Sequence, residues 1–175
     1  DAISAFKLTE RMAKLDGMCY MRTHRPDVPF IYEESEEFGL EGFKHLIDGE
    51  DVAIVANGYM VHVAQKACEQ LEEKAGLSPS LIDVYAMPLQ TEEILQIGDD
   101  CRGQILVVED NYVGGFADEI TAAASKSDLG VMVETMCVPR IPKSGRTPED
   151  LLTMTDLSAN AIAEKVQKMF DQSEA

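Results

Sequence analysis

The sequence predicts an α/β protein: three layers, α/β/α, around a mostly parallel sheet of about five strands. Three observations carry this. Runs such as "DVAIVANG", "QILVVED" and "GVMVETMCV" are apolar without alternation, as strands buried on both faces are. They alternate with amphipathic stretches of helical length, which implies crossover connections and parallel pairing. Finally, 175 residues at 45% hydrophobic and 27% charged are ordinary globular composition, enough for one cored domain and an appendage.

Residues 1–16, "DAISAFKLTERMAKLD", place Ile3, Phe6, Leu8, Met12 and Leu15 at helical spacing, and Gly17 reads as the C-cap that stops the helix. "MCYMR" reads as a short strand, broken by "RPDVP" because proline donates nothing to a ladder and restricts its predecessor. The acidic stretch "FIYEESEEFGLEGFKHLIDGED" has no strong period and reads as a linker with a turn or two, its "EESEE" run a solvated face.

From there the alternation is sustained. "DVAIVANG" is a strand ended by a turn dipeptide, and "MVHVAQKACEQLEEKAG" a helix closed by Gly76. "SLIDVYAM" is a strand and "QTEEILQIGDDC" a helix with Thr91 as N-cap. "QILVVED" is a strand, "GGFADEITAAASKS" a helix and "GVMVETMCV" a strand. Thr147 before Pro148 marks an N-cap with proline at the first helical position, and "SANAIAEKVQKMFDQ" is the last helix. The resulting division is a closing helix and strand of another unit over 1–28, a linker over 29–48, and one α/β domain over 49–175.

The charge balance, 15 basic against 32 acidic residues, gives −17, a field that repels nucleic acid and anionic membrane surfaces. No apolar run approaches the ~20 residues of a membrane span, and no basic, apolar leader opens the sequence, so the expectation is a cytoplasmic protein. The opening at Asp1 suggests a fragment of a longer chain. Cys19, Cys68, Cys101 and Cys137 are far apart with no C-x-x-C pair, and read as reduced thiols rather than a zinc site. His24, His45 and His62 have no metal-ligand spacing.

Ligands of open α/β sheets favour the carboxyl ends of strands, and three such ends carry candidates. At "VANGYMVH", Asn57-Gly58 is either a common turn or a source of amide donors for an anion at a helix start. At "VVEDNYVGGFADEI", Glu109 and Asp110 could do acid/base work or hold magnesium, or could be turn and capping residues, the reading preferred here. At "CVPRIPKSGRTPEDLL", Arg140, Lys143 and Arg146 could bind phosphate, though pairing with surface acids is the expectation at this net charge. There is no P-loop and no G-x-S-x-G nucleophile, and the residues alone assemble no catalytic constellation. A further segment, "MRTHRPDVP", packs Arg22, His24 and Arg25 into four positions of an acidic chain.

Five segments, "MCYMRTHRPDVPFIY", "VAIVANGYMVHVAQKACEQL", "IDVYAMPL", "GQILVVEDNYVGGFADEI" and "VPRIPKSGRTPEDLL", occur in this order over almost the whole chain. Together they resemble the C-terminal part of transketolase, the thiamine-diphosphate-dependent ketol-transfer enzyme. The resemblance implies that residues 1–28 close the pyrimidine-binding domain and that 49–175 form the C-terminal domain. It implies a homodimer whose complete form moves a two-carbon ketol unit from a ketose phosphate to an aldose phosphate. It also implies that Arg25, directly before Pro26, binds the substrate phosphate, which suits a guanidinium's planar fork of donors. Arg22 is the weaker candidate, and His24, alternating to the other face of the presumed strand, is a bystander.

By the same resemblance, thiamine diphosphate and Mg2+ are bound by upstream domains, in the same chain or a separate subunit. The family's Gly-Asp-Gly…Asn motif is not in this sequence. The expectation is therefore a chain that binds no cofactor and is inactive alone. Related thiamine enzymes (deoxyxylulose-phosphate synthase, the 2-oxoacid dehydrogenase β subunit) share the fold and are the alternatives, with a non-enzymatic dimerisation or regulatory module as a third. The "PRIPKSG" loop and the paired glycines after "VVEDNY" favour transketolase.

Overall fold

The chain, seen in a computed structural model that describes residues 1–173, is built on a five-stranded sheet. Its elements in order are α1 (Ala2–Met12), β1 (Gly42–Ile47), β2 (Ala53–Ala56), α2 (Tyr59–Ala75), β3 (Ser80–Ala86), α3 (Thr91–Asp100), β4 (Gln104–Tyr112), α4 (Phe116–Ala124), β5 (Met132–Val138), α5 (Pro148–Met154) and α6 (Ala159–Ser173). The expected 49–175 segment ends at Ala175, and residues 174 and 175 lie outside those described.

The strands run in the order β1-β3-β2-β4-β5, with β1 antiparallel to β3 and every other pair parallel. The central position of β2 explains its sequence. All four of its residues, Ala53 to Ala56, are fully buried because helices cover both faces. Ile54 and Ala56 face one core with Met60, Ala64 and Leu71 of α2 and Ile162, Val166 and Met169 of α6. Ala53 and Val55 face the other, with Ile94 and Leu95 of α3 and Phe116, Ala117 and Ile120 of α4. Three layers and a mostly parallel sheet are thus what the sequence predicts. Each fully buried Leu, Ile or Phe contributes about 1.5–3 kcal/mol.

Helix ends follow their local chemistry. α2 stops where Gly76 adopts a left-handed conformation, φ +66°, open to glycine at little cost. α5 starts as expected at Thr147, whose side chain accepts the Asp150 N–H while Asp150 reaches back to the Thr147 N–H.

Four expectations are corrected. "MCYMR" is not a strand: residues 18–30 run as irregular chain, with Met18 and Tyr20 fully exposed, because a strand is held by its ladder and no neighbour pairs here among the described residues. The stretch read as a linker over 29–48 contains β1. β1 is an edge strand, paired on one side and half-exposed, with Lys44 in an ion pair to Glu36 at 2.7 Å, so it lacks the apolar run that marks the central strands. α1 ends at Met12, a turn before Gly17, which takes φ +112° in the turns that follow. Gln90 rather than Thr91 is the N-cap of α3.

The acidic stretch after residue 30 is also more firmly placed than its composition suggests. Tyr32 is buried, its ring edge-on to Phe38 at 4.9 Å, and its hydroxyl donates to Asp83 Oδ2 of β3 at 2.5 Å. Asp1 ties α1 to the same place, its Oδ2 accepting the Ile31 and Tyr32 N–H groups at 2.7 and 3.0 Å. No helix among the described residues is long and apolar enough to cross a membrane.

Candidate functional site

β2 and β4 are neighbours, but the helices that follow them, α2 and α4, lie on opposite faces of the sheet. Their carboxyl ends therefore form the switch point where open α/β sheets present a crevice. Two of the sequence candidates, Asn57-Gly58 and Glu109-Asp110, end these two strands. The third, the loop carrying Arg140, Lys143 and Arg146, follows β5 at the same end of the sheet.

The crevice is crossed by the chain's own basic segment. Arg22 Nη2 meets Asp110 Oδ1 at 2.9 Å, in the last residues of β4. His24 Nε2 accepts the Tyr59 N–H at 3.1 Å, at the start of α2. The need at that start is plain. α2 has Gly58 as N-cap, at φ +52°, with no side chain to satisfy the first amides. His24 takes that role from 35 residues upstream. The bond fixes its tautomer, with the proton on Nδ1, and burial holds its pKa below the ordinary value. A neutral ring suits the positive end of a helix. Gly58 must be glycine for a second reason: a Cβ there would overlap His24 Nε2.

His24 is therefore not a bystander. The expectation that it turns away rests on strand alternation, and residues 18–30 are not a strand.

Arg25 follows at once. Its side chain is exposed, and among the described residues its guanidinium has neither ion-pair nor hydrogen-bond partner. It is a free fork of donors on a segment pinned at two points. Arg22, by contrast, is spent on Asp110. The side chains of Arg140, Lys143 and Arg146 also lack carboxylate partners among the described residues, contrary to the pairing expected at −17. Asp150, four residues after Arg146, is engaged instead in capping, its Oδ2 accepting the Arg146 and Thr147 backbone N–H groups.

Glu109 and Asp110 do not act as a pair. Glu109 is buried and its Oε2 accepts the Ala117 N–H at 3.3 Å, capping α4. Burial raises its pKa, against the pull of the Ala117 and Phe116 amides. Gly115 leaves room for this carboxylate, since a Cβ there would overlap Oε1. Among the described residues no group of three or more His, Cys, Asp or Glu could hold a metal ion. The cysteines are unpaired thiols, Cys19 exposed and Cys68 and Cys101 buried.

The sheet, its switch point and the cationic segment laid across it define the class: an open α/β domain with a basic segment pinned over the carboxyl ends of its strands. The family follows from sequence comparison. The family model for the C-terminal domain of transketolase matches residues 43–162, and the chain belongs to that family. Transketolase of Mus musculus is 32% identical over 170 residues, covering 95% of this chain and 27% of the relative. Human transketolase is 31% identical over 176 residues, covering 99% and 28%, and transketolase-like protein 1 of Bos taurus is 33% identical over 172 residues, covering 97% and 28%. The chain thus spans about a quarter of the length of these curated relatives.

Among solved structures, a split-gene transketolase in an inactive β4 tetramer superposes with TM-score 0.89 at 25% identity. The match covers 98% of this chain and 56% of that one. Transketolase of Pichia stipitis in complex with sedoheptulose 7-phosphate superposes at 0.52 with 21% identity, over 75% of this chain and 18% of its own, a likeness of fold.

Proposed function

We propose that this chain works as the C-terminal part of a complete transketolase, a cytoplasmic, homodimeric enzyme that moves a two-carbon ketol unit between sugar phosphates. Residues 1–28 belong with the pyrimidine-binding domain, 29–41 connect, and the C-terminal domain, which takes in β1, packs and dimerises. Upstream domains, in the same chain or a separate subunit, complete the site. Similarity over 98% of this chain to a split-gene transketolase supports the separate subunit, and the match to 27% of a longer transketolase supports the single chain.

Thiamine diphosphate and Mg2+ would be held by those domains and would supply an electron sink for the ketol transfer. Glu109 and Asp110, the carboxylates of this chain that could have held magnesium, are committed instead to α4 and Arg22. What this chain contributes is a place for the substrate's phosphate. One observation carries that reading, the unpartnered guanidinium of Arg25 beside two neighbours that are both anchored. The free cations at Arg140, Lys143 and Arg146, at the same end of the sheet, add attraction for an anion on an otherwise acidic molecule.

Kinetics of the complete enzyme test this. Arg25→Ala removes a charged hydrogen bond of about 1.5–3 kcal/mol and lowers kcat/KM for xylulose 5-phosphate roughly ten- to a hundredfold, mainly through KM. Unchanged kinetics would remove Arg25 from the site.

A further inference from the structure

We infer that His24 is a positioning residue for Arg25, holding the substrate-phosphate arginine at its working place by docking onto the N-terminus of α2. This rests on the phosphate-binding reading of Arg25 and goes beyond it, because it makes the C-terminal domain a determinant of substrate affinity.

The geometry is specific. Among the described residues Arg25 makes no side-chain hydrogen bond or ion pair of its own, so its place is set by its neighbours in the chain. Downstream, Pro26 and Pro29 restrict the backbone. Upstream, the segment is held by His24 on the Tyr59 amide and by Arg22 on Asp110, on the two sides of the switch point. The two anchors differ in kind. The Arg22 pair is exposed, with side-chain accessibilities of 49% and 26%, so solvent and salt weaken it. The His24 bond is also exposed, but it joins a neutral ring to a helix amide with no other cap, so salt does not screen it as it screens an ion pair, and its nearest neighbour in sequence is Arg25. The ring of Tyr59, 6.2 Å away and tilted by 51°, flanks it. Holding a charged group in place lowers the ordering cost when ligand arrives. Loss of the anchor therefore weakens phosphate binding without touching the reacting carbons.

The test uses the complete enzyme with two donors that differ only in the phosphate, xylulose 5-phosphate and xylulose. His24→Ala raises KM for xylulose 5-phosphate about three- to tenfold, leaves kcat near wild type, and leaves the kinetics of xylulose unchanged. His24→Gln, which keeps an acceptor at similar reach, restores the phosphate preference. Gly58→Ala, which displaces the ring while keeping His24, reproduces the loss and serves where His24→Ala does not fold. Equal losses for both donors in His24→Ala and Gly58→Ala would reduce His24 to a structural cap and overturn the inference. So would an unchanged preference in His24→Ala while Arg25→Ala abolishes it. A preference that survives Arg25→Ala overturns the phosphate reading itself, a result distinct from the other two.

Discussion

Tyr32→Phe isolates one buried hydrogen bond and can be worked through quantitatively. Asp83 is buried in β3, its Oδ2 accepts from Tyr32, and its Oδ1 has no partner among the described residues. Burial raises its pKa from 3.8 to about 6, with the Tyr32 bond pulling the other way. The sign follows. Between pH 3.8 and about 6 the folded chain binds this proton more tightly than the unfolded one, so the group's contribution to stability falls as pH rises through that window and stays at its floor above it. The floor lies about 3 kcal/mol below the acid limit, from a shift of about two units at 1.36 kcal/mol each.

Removing the hydroxyl leaves an ionised carboxylate with neither oxygen satisfied. The cost at pH 8 is about 1.5–3 kcal/mol, the range for a bond to a charged group. At pH 5 Asp83 is mostly protonated, and the loss is that of a neutral bond, about 1 kcal/mol. For a chain of this size each kcal/mol moves Tm by about 2–4 °C, which gives a drop of about 3–12 °C at pH 8 and about 2–4 °C at pH 5. Thermal unfolding followed by circular dichroism at the two pH values reads both. Equal drops, or a larger one at pH 5, would refute the assignment of an ionisable, under-satisfied Asp83.

Gly115→Ala should push Glu109 from the α4 amides and cost about 2–3 kcal/mol in urea unfolding; a loss under about 0.5 kcal/mol would mean that the carboxylate is not the cap. In native protein a thiol reagent should modify exposed Cys19 first. Cys68 and Cys101, buried and pushed up to about 12 and about 11, should react only on unfolding. Fast native labelling of either, mapped by mass spectrometry, would contradict their burial.

The central strands were legible because burial on both faces leaves a continuous apolar run, as in Ile105 to Val108. β1 was not, since Lys44 and His45 belong to an edge where one side meets solvent and the side chains find polar partners, Glu36 and Ser80. "MCYMR" misleads in the opposite sense: apolar and β-prone, it lacks a partner strand. The site shows the same division. Arg25 stood out by its cationic neighbours and its proline, and its role came from resemblance. Nothing local signals that His24 caps a helix 35 residues on. A glycine N-cap at Gly58 leaves an amide to be satisfied, and only the tertiary fold says by what.

The position of α6 bears on how the chain reaches this state. One face of the sheet is sealed by Leu157, Ile162, Val166 and Met169, all later in sequence than every strand, which pack with α2 and β4. A polypeptide emerging from the ribosome in order holds Ile54, Leu81 and Leu106 without that cover until α6 is made. Premature termination before residue 157 would leave a greasy half-sandwich, a natural substrate for chaperones and proteases, rather than a smaller working domain.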